Sequence, residues 1–404
     1  MNILVLTNIY PADDLEQENT PIVHYFVREW VKMGVCVRVV HYPANFPKLM
    51  MWGASLFKKQ LSSKLGATVR TAQTFEKEYE MEGVKVKRIP LLKHKLHGAF
   101  SKDELENAYR KTVAWLEKEG FVPDRITSHW VNPQLEIMRR LKEHYHVKTC
   151  YVAHTATGEL ARLYDQERVC NLLSSIDLIG FRSEYIKAEL VKAYGYDGPT
   201  FQCYSGIPEQ YIPETPVYRS FETIKRFVFV GTLIKRKYPA EIIPAVVKAF
   251  GKEDFEINYI GQGAEDKAIS ENASRFGVTD KVHLLGRMSR DEVVAHLQQS
   301  DVFVMNSRSE AFGLVYLEAM AQGCLTIASW KEGFDGIIQD GVNGFLCNAG
   351  DVDDLAATIQ RIRAMSAEQR KKISENAVLT ARKLTDTKAA DAYLSELVQL
   401  GQDE

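Results

Sequence analysis

Short β-branched runs alternate with longer amphipathic ones along most of the chain, the pattern of strand–helix units wound around parallel sheets. Residues 3–7 predict a first strand. Residues 21–33 predict a helix with Thr20 as N-cap and Pro21 at the first helical position, where a missing N–H costs nothing. Gly34 ends that helix, and 35–41 (V-C-V-R-V-V-H) predicts the second strand. Further strands are predicted at 86–89, 125–128, 147–153 and 178–181. Pro208, Pro213 and Pro216 then cluster in a turn-rich, helix-free stretch, the best domain boundary in the chain. Alternation restarts at 226–230 and continues through 255–260, 282–284, 302–305 and 325–328, with helices between. From Asp351 onward the pattern predicts charged helical segments without a buried run. The expected fold class is α/β, with two successive doubly wound domains.

The length of 404 residues agrees with two or three domains, and 45% hydrophobic with 26% charged residues is the balance of an ordinary globular chain. The net charge of −2 argues against a general nucleic-acid binder. That sum hides an asymmetry, because residues 41–100 hold 11 Lys or Arg against 4 Asp or Glu, a local +7. The stretch mixes these cations with Met50, Met51, Trp52, Leu56 and Phe57, and continues through Lys85, Lys87, Arg88, Lys93 and Lys95. It reads as a peripheral membrane contact over 47–97, or as a solvated face over ordinary core. Six scattered cysteines without ligand spacing point to a reduced compartment. With no signal-like start and no apolar run long enough to span a bilayer, the expected location is the cytoplasm, at most against the inner face of the membrane.

The strongest local signal is S-R-S-E-A-F-G-L-V-Y-L-E-A-M-A-Q-G at 307–323, which follows a strand and opens a helix. Glu310 sits in the strand-to-helix loop, and Glu318 lies eight residues on, about 12 Å along the axis if all were helical. Between them the N–H groups of Phe312, Gly313, Leu314 and Val315 form an anion site at a helix start. One carboxylate at the mouth, one deeper, and phosphate-ready amides between suit a nucleotide sugar. The bland alternative is an ordinary first-turn acid and a surface glutamate.

That stretch resembles the Glu-x7-Glu motif of the retaining glycosyltransferase 4 family in its E-x-F-G-L-x-x-x-E-A-M-A-x-G frame. Also similar are residues 1–11, 177–183, S-G-I-P at 205–208 with Y-I-P at 211–213, F-V-G-T-L at 229–233 with Lys237, I-G-Q-G at 260–263, L-G-R-M at 285–288 and D-G-V-N-G-F at 340–345. In this order they cover nearly the whole chain. The resemblance implies a GT-B architecture: two Rossmann-like doubly wound domains facing a central cleft. It also implies domains at 1–206 and 226–385, a linker at 207–225, and a terminal helix at 386–404 that can pack back on the first domain. It further implies transfer of a sugar from a nucleotide diphosphate to a saccharide or lipid-linked acceptor with retention, in cell-surface polysaccharide assembly. No metal and no cofactor are expected, the donor being a substrate. Glu310 would hold the donor sugar, Glu318 the ribose, Lys237 the diphosphate and His154, ending the strand V-A-H, the reacting centre. Thr232 stands where the family often has Arg, so Arg236 and Lys235 are expected to add charge; Gly263 and Met288 complete the donor-binding set. His129 is a weaker candidate on the preceding strand. The rival readings are a nucleotide-sugar epimerase or hydrolase on the same frame, and a non-catalytic donor-binding subunit.

Overall fold

The computed structural model describes residues 1–15, 20–48, 50–51, 72–155, 157–214, 220–251 and 253–401. Two compact units emerge, one from the described residues up to Ser205 together with those from Asp386 on, the other from Gly206–Thr385. The first holds a sheet of β1 (Asn2–Thr7), β2 (Cys36–His41), β4 (Lys77–Met81), β5 (Val84–Arg88), β7 (Arg125–His129), β8 (Lys148–Ala153), β9 (Leu178–Phe181) and β10 (Thr200–Gln202). Its spatial order is β10-β9-β8-β7-β1-β2-β5-β4, and β3 (Ala44–Asn45) pairs β6 (Leu91–Leu92) beside it. Every neighbour in the large sheet is parallel except the β4–β5 hairpin. Alternation along β1 sends Leu4 and Leu6 into one core and Ile3 and Val5 into the other, so both sheet faces are covered.

The second unit is a parallel sheet of β11 (Arg226–Val230), β12 (Glu256–Ile260), β13 (Val282–Gly286), β14 (Val302–Val304), β15 (Leu325–Ser329) and β16 (Phe345–Cys347), ordered β13-β12-β11-β14-β15-β16. In both sheets the chain starts centrally, winds outward, then returns to the other side of its first strand. The reversals fall between β1 and β7 and between β11 and β14, where ligands bind in such sheets, outside the strands' carboxyl ends.

Several expectations are corrected. The first helix is Ile22–Lys32, with Pro21 at the cap position and no side-chain cap bond, so Thr20 does not cap it. The β4–β5 hairpin was not legible because its turn is Glu82-Gly83, with φ of 47° and 80°, and non-glycine residues seldom take the first such position. The stretch from Gly206 is no free linker, since Ile207 bridges Thr385 and the Gln322 amide donates to the Tyr211 carbonyl. Pro216 lies outside the described residues. The helix Val352–Ala364 does carry a buried face, Leu355, Ala356, Ile359 and Ile362. Part of the basic stretch is neutralised internally. Lys87 pairs with Glu76 and Glu78, Lys85 with Glu119, and Arg88, almost wholly buried, grips Asp14 through both carboxylate oxygens. Trp52, Leu56, Phe57, Lys58 and Lys59 lie outside the described residues. No helix among the described residues is long and apolar enough to cross a membrane.

Candidate functional site

The reversal in the second sheet is built by the loops leaving β11 and β14. After β11 the chain makes one 3-10 turn at Lys235–Lys237, closed by Tyr238 in the left-handed region at φ 49°. That turn brings Lys237 against the segment that follows β14. Its ammonium lies 3.6 Å from Glu310 Oε2 and 3.6 Å from Met305 Sδ, and its side chain is largely enclosed. Arg236 approaches the same oxygen at 3.4 Å and faces the carbonyls of Arg308 and Ser309. Arg308 N–H in turn donates to the Arg236 carbonyl, locking the two loops together. Lys237, Arg236 and Glu310 therefore converge from adjacent strands. Lys235 on that turn and Thr232 earlier in the same loop are exposed.

The helix after β14 starts at Leu314, with Gly313 at its cap in the left-handed region at φ 83°. A Cβ there would come 2.6 Å from the Tyr316 ring and 3.2 Å from Glu310 Cγ, so glycine is needed both for the turn and for the approach. Residues 310–313 are thus loop rather than helix, and the eight-residue helical spacing holds only from Leu314. Leu314 and Val315 are first-turn residues whose N–H groups have no partner within the helix. The Phe312 ring is buried against Phe334, with centroids 5.3 Å apart.

Glu318 is 8% exposed and receives both Nε and Nη2 of Arg290 at 2.7 Å on one oxygen. Arg290 opens the helix Arg290–Gln299 behind a Ser289–Glu292 capping box and lies over the Tyr211 ring at 4.8 Å. Met288 is half-buried in the preceding loop. Gly261 and Gly263 have a packing role. Cβ atoms there would sit 1.9 Å from the Gly231 oxygen and 2.1 Å from the Leu233 oxygen, and the Gly263 N–H is already held by Asp266. The two loops after β11 and β12 are pressed together backbone to backbone.

In the first unit His129 and His154, from the ends of β7 and β8, meet with Nδ1 of the former 3.0 Å from Nε2 of the latter. Trp130, at φ 67°, stacks on His154 with centroids 4.3 Å apart. Burial, with the Arg182 guanidinium nearby, pushes the His129 pKa down to about 3. Burial lowers His154 as well, helped by His129 and Arg182. Both rings are neutral at pH 7, so one donates to the other.

Sequence reasoning missed Glu332. It follows β15, is half-buried, and its Oε2 accepts the Glu310 N–H at 2.9 Å. Burial raises its pKa, while N–H groups of Glu310 and Ser309 oppose that rise. Its position just past a strand's carboxyl end was the available signal. Arg290 was missed too, although the S-R-D-E capping signature marked its helix. Among the described residues no group of three or more His, Cys, Asp or Glu side chains is placed to hold a metal ion.

Residues 214–379 match the family described as glycosyl transferases group 1. An uncharacterized glycosyltransferase of Methanocaldococcus jannaschii is 27% identical over 349 residues, covering 85% of this chain and 92% of that protein. A lipopolysaccharide core biosynthesis glycosyltransferase of Rhizobium meliloti is 29% identical over 168 residues, 42% of this chain and under half, 48%, of the relative. Among solved structures, one titled trehalose-6-phosphate from E. coli bound with UDP-2-fluoro glucose superposes with a TM-score of 0.69 over 99% of both chains at 13% identity. The fold is GT-B.

Proposed function

We propose that this chain, whose fold, family match and relatives support a place among the GT-B glycosyltransferases, moves a sugar from a nucleotide diphosphate to a saccharide or lipid-linked glycan with retention of configuration. One observation carries the reading: Lys237 and Arg236 converge on Glu310 at the strand reversal of the second unit. There a cation can neutralise the charge that grows on a departing diphosphate, while a carboxylate can bind sugar hydroxyls. The N–H groups of Leu314 and Val315 offer a second anion contact at a helix start. In this assignment Lys237 and Arg236 serve the diphosphate, Glu310 the donor sugar, and Glu318 the ribose, with Arg290 holding the Glu318 carboxylate in place. His154 serves the transferred sugar as a neutral imidazole. Attack from the leaving-group side, guided by the departing phosphate, needs no enzyme base on the opposite face. A UDP-linked donor is favoured by the UDP-2-fluoro glucose bound in the E. coli structure, and a surface-polysaccharide acceptor by the lipopolysaccharide core biosynthesis for which the Rhizobium relative is named.

The test is a thermal-shift screen across UDP, GDP, ADP and their sugars, followed by transfer assays with the stabilising donor and glycan acceptors. One nucleotide should raise the melting temperature, and its sugar should be transferred with the anomeric configuration kept. Donor consumed equally without any acceptor, or an inverted product, would count against the proposal.

A further inference from the structure

The helix Asp386–Gln399 is the last element of the chain, yet it belongs to the first unit. Arg28 pairs with Asp386 at 2.6 Å, Trp30 Nε1 donates to the Ala390 carbonyl at 2.8 Å, and Arg125 Nε donates to the Leu397 carbonyl at 3.1 Å. These contacts fix the axial position of the helix, and so the place of its one large buried polar side chain, Tyr393. The Tyr393 ring is 1% exposed, edge-on to Phe26 and Trp30 at 5.3 and 5.0 Å and against Phe201 at 5.3 Å. Packing on three sides leaves the hydroxyl little choice of direction. It reaches Thr127 Oγ1 in a short hydrogen bond and lies 3.5 Å from His129 Nε2. Thr127 and His129 are two apart on β7 and share a face, so one phenol meets both. His129 Nδ1 then meets His154 Nε2.

A neutral imidazole has one N–H, so the direction of one bond in this chain sets the direction of the next. Either hydroxyl can be the donor in the Thr127 contact, and we give that role to the single proton of the phenol. Its oxygen is then an acceptor, which His129 satisfies by donating Nε2–H. His129 Nδ1 keeps its lone pair and accepts Nε2–H from His154.

We propose that Tyr393 is a positioning residue: acting through His129, it holds His154 as the Nε2–H tautomer, with the Nδ1 lone pair left to accept a hydrogen bond from a sugar hydroxyl. The inference rests on the role given to His154 in sugar transfer and adds the part that sets that histidine's tautomer. The terminal helix thereby takes part in the reaction without touching the substrate.

The experiment uses the full chain with 15N-labelled histidine, as wild type, Tyr393→Phe, His154→Gln and the double variant. Phenylalanine keeps the buried ring and removes only the hydroxyl. Wild type should show His154 protonated at Nε2, and Tyr393→Phe should shift the ring-nitrogen signals of both His129 and His154 toward a tautomer mixture. The turnover number of Tyr393→Phe should fall about tenfold with KM nearly unchanged, as loss of alignment does. That loss should vanish in the His154→Gln background, which a general packing defect would not do. Unchanged histidine signals in Tyr393→Phe, or a wild-type His154 protonated at Nδ1, overturn the proposal. Shifted signals together with a His154→Gln variant as active as wild type uphold the relay and overturn instead the role of His154 in transfer.

Discussion

At the residue scale the proposed donor site is a contest among charges brought close by two loops. Lys237 and Arg236 both face one oxygen of Glu310, and binding an anion would redistribute those contacts. Lys237→Ala should therefore lower turnover by about tenfold or more while leaving the fold intact, because the proposed function has this residue stabilise charge that exists mainly in the transition state. Steady-state kinetics at saturating donor checks this. Glu318→Ala should act differently. It should weaken nucleotide binding in calorimetry and also lower the melting temperature, since Arg290 loses the carboxylate that receives two of its N–H groups. Glu332 calls for a pair of variants. Glu332→Ala removes the acceptor of the Glu310 N–H, about 0.5–1.5 kcal/mol for a bond at this half-buried position, and frees the loop that carries Glu310. Glu332→Gln keeps an oxygen at the same place and should retain more of the kcat/KM. Equal loss in both would mean that the charge of Glu332 matters rather than its bond. His129 also makes a statement about acid. Its pKa falls from 6.5 to about 3 on folding, so the unfolded chain binds more protons between those values. The stability it contributes is whole above pH 6.5 and is lost progressively toward pH 3. In His129→Gln the part of the urea midpoint's decline that sets in below pH 6.5 should shrink. Asp14, held down to about 2 by the Arg88 guanidinium, acts only below about pH 4.

At the scale of elements, the turns decide where chemistry is possible. Gly313 ends the β14 loop and starts a helix in the left-handed region, with the Tyr316 ring and Glu310 on its bare face. Gly313→Ala should cost about 2 kcal/mol or more in denaturant unfolding and should displace Glu310, so affinity for the donor falls along with stability. This element also shows what was legible beforehand. Strands buried on both faces, such as β1, β11 and β14, announce themselves as mainly apolar runs, and the loops after β11, β14 and β8 hold Lys237, Glu310 and His154. The missed features are tertiary. Glu332 acts through a backbone N–H supplied by another strand's loop, and no spacing within 329–333 encodes that partner. The β4–β5 hairpin alternates charged residues because its cross-strand pairs, Glu78 with Lys87 and Glu80 with Lys85, support each other, and a list of cations read alone looks like a patch for something external. Gly261 and Gly263 look like a nucleotide-binding turn, and their closest neighbours prove to be the backbone oxygens of Gly231 and Leu233.

At the scale of the whole molecule, the first unit is discontinuous in sequence and cannot be completed until the last helix is made. Val23, Phe26 and Trp30 from the first helix and Phe201 beside β9 form a core whose remaining side is Ala389, Ala390, Tyr393 and Leu397. At about 1.5–3 kcal/mol for each fully buried large side chain, Tyr393 and Leu397 alone represent roughly 3–6 kcal/mol, before counting the partners they cover. A domain's entire stability is about 5–15 kcal/mol, so losing the helix removes a decisive share. The second unit carries no such debt, since Gly206–Thr385 contains its own sheet and its flanking helices. Two fragments should then behave oppositely. Residues 206–385 expressed alone should be monomeric, melt cooperatively and be stabilised by the nucleotide that stabilises the full chain, because the diphosphate and ribose contacts assigned here all lie within it. Residues 1–205 alone should aggregate or melt without cooperativity, and a synthetic peptide of residues 386–401 should restore a cooperative transition. A peptide with Leu397→Asp should fail to do so, since its charge would enter the apolar face that the helix exists to close.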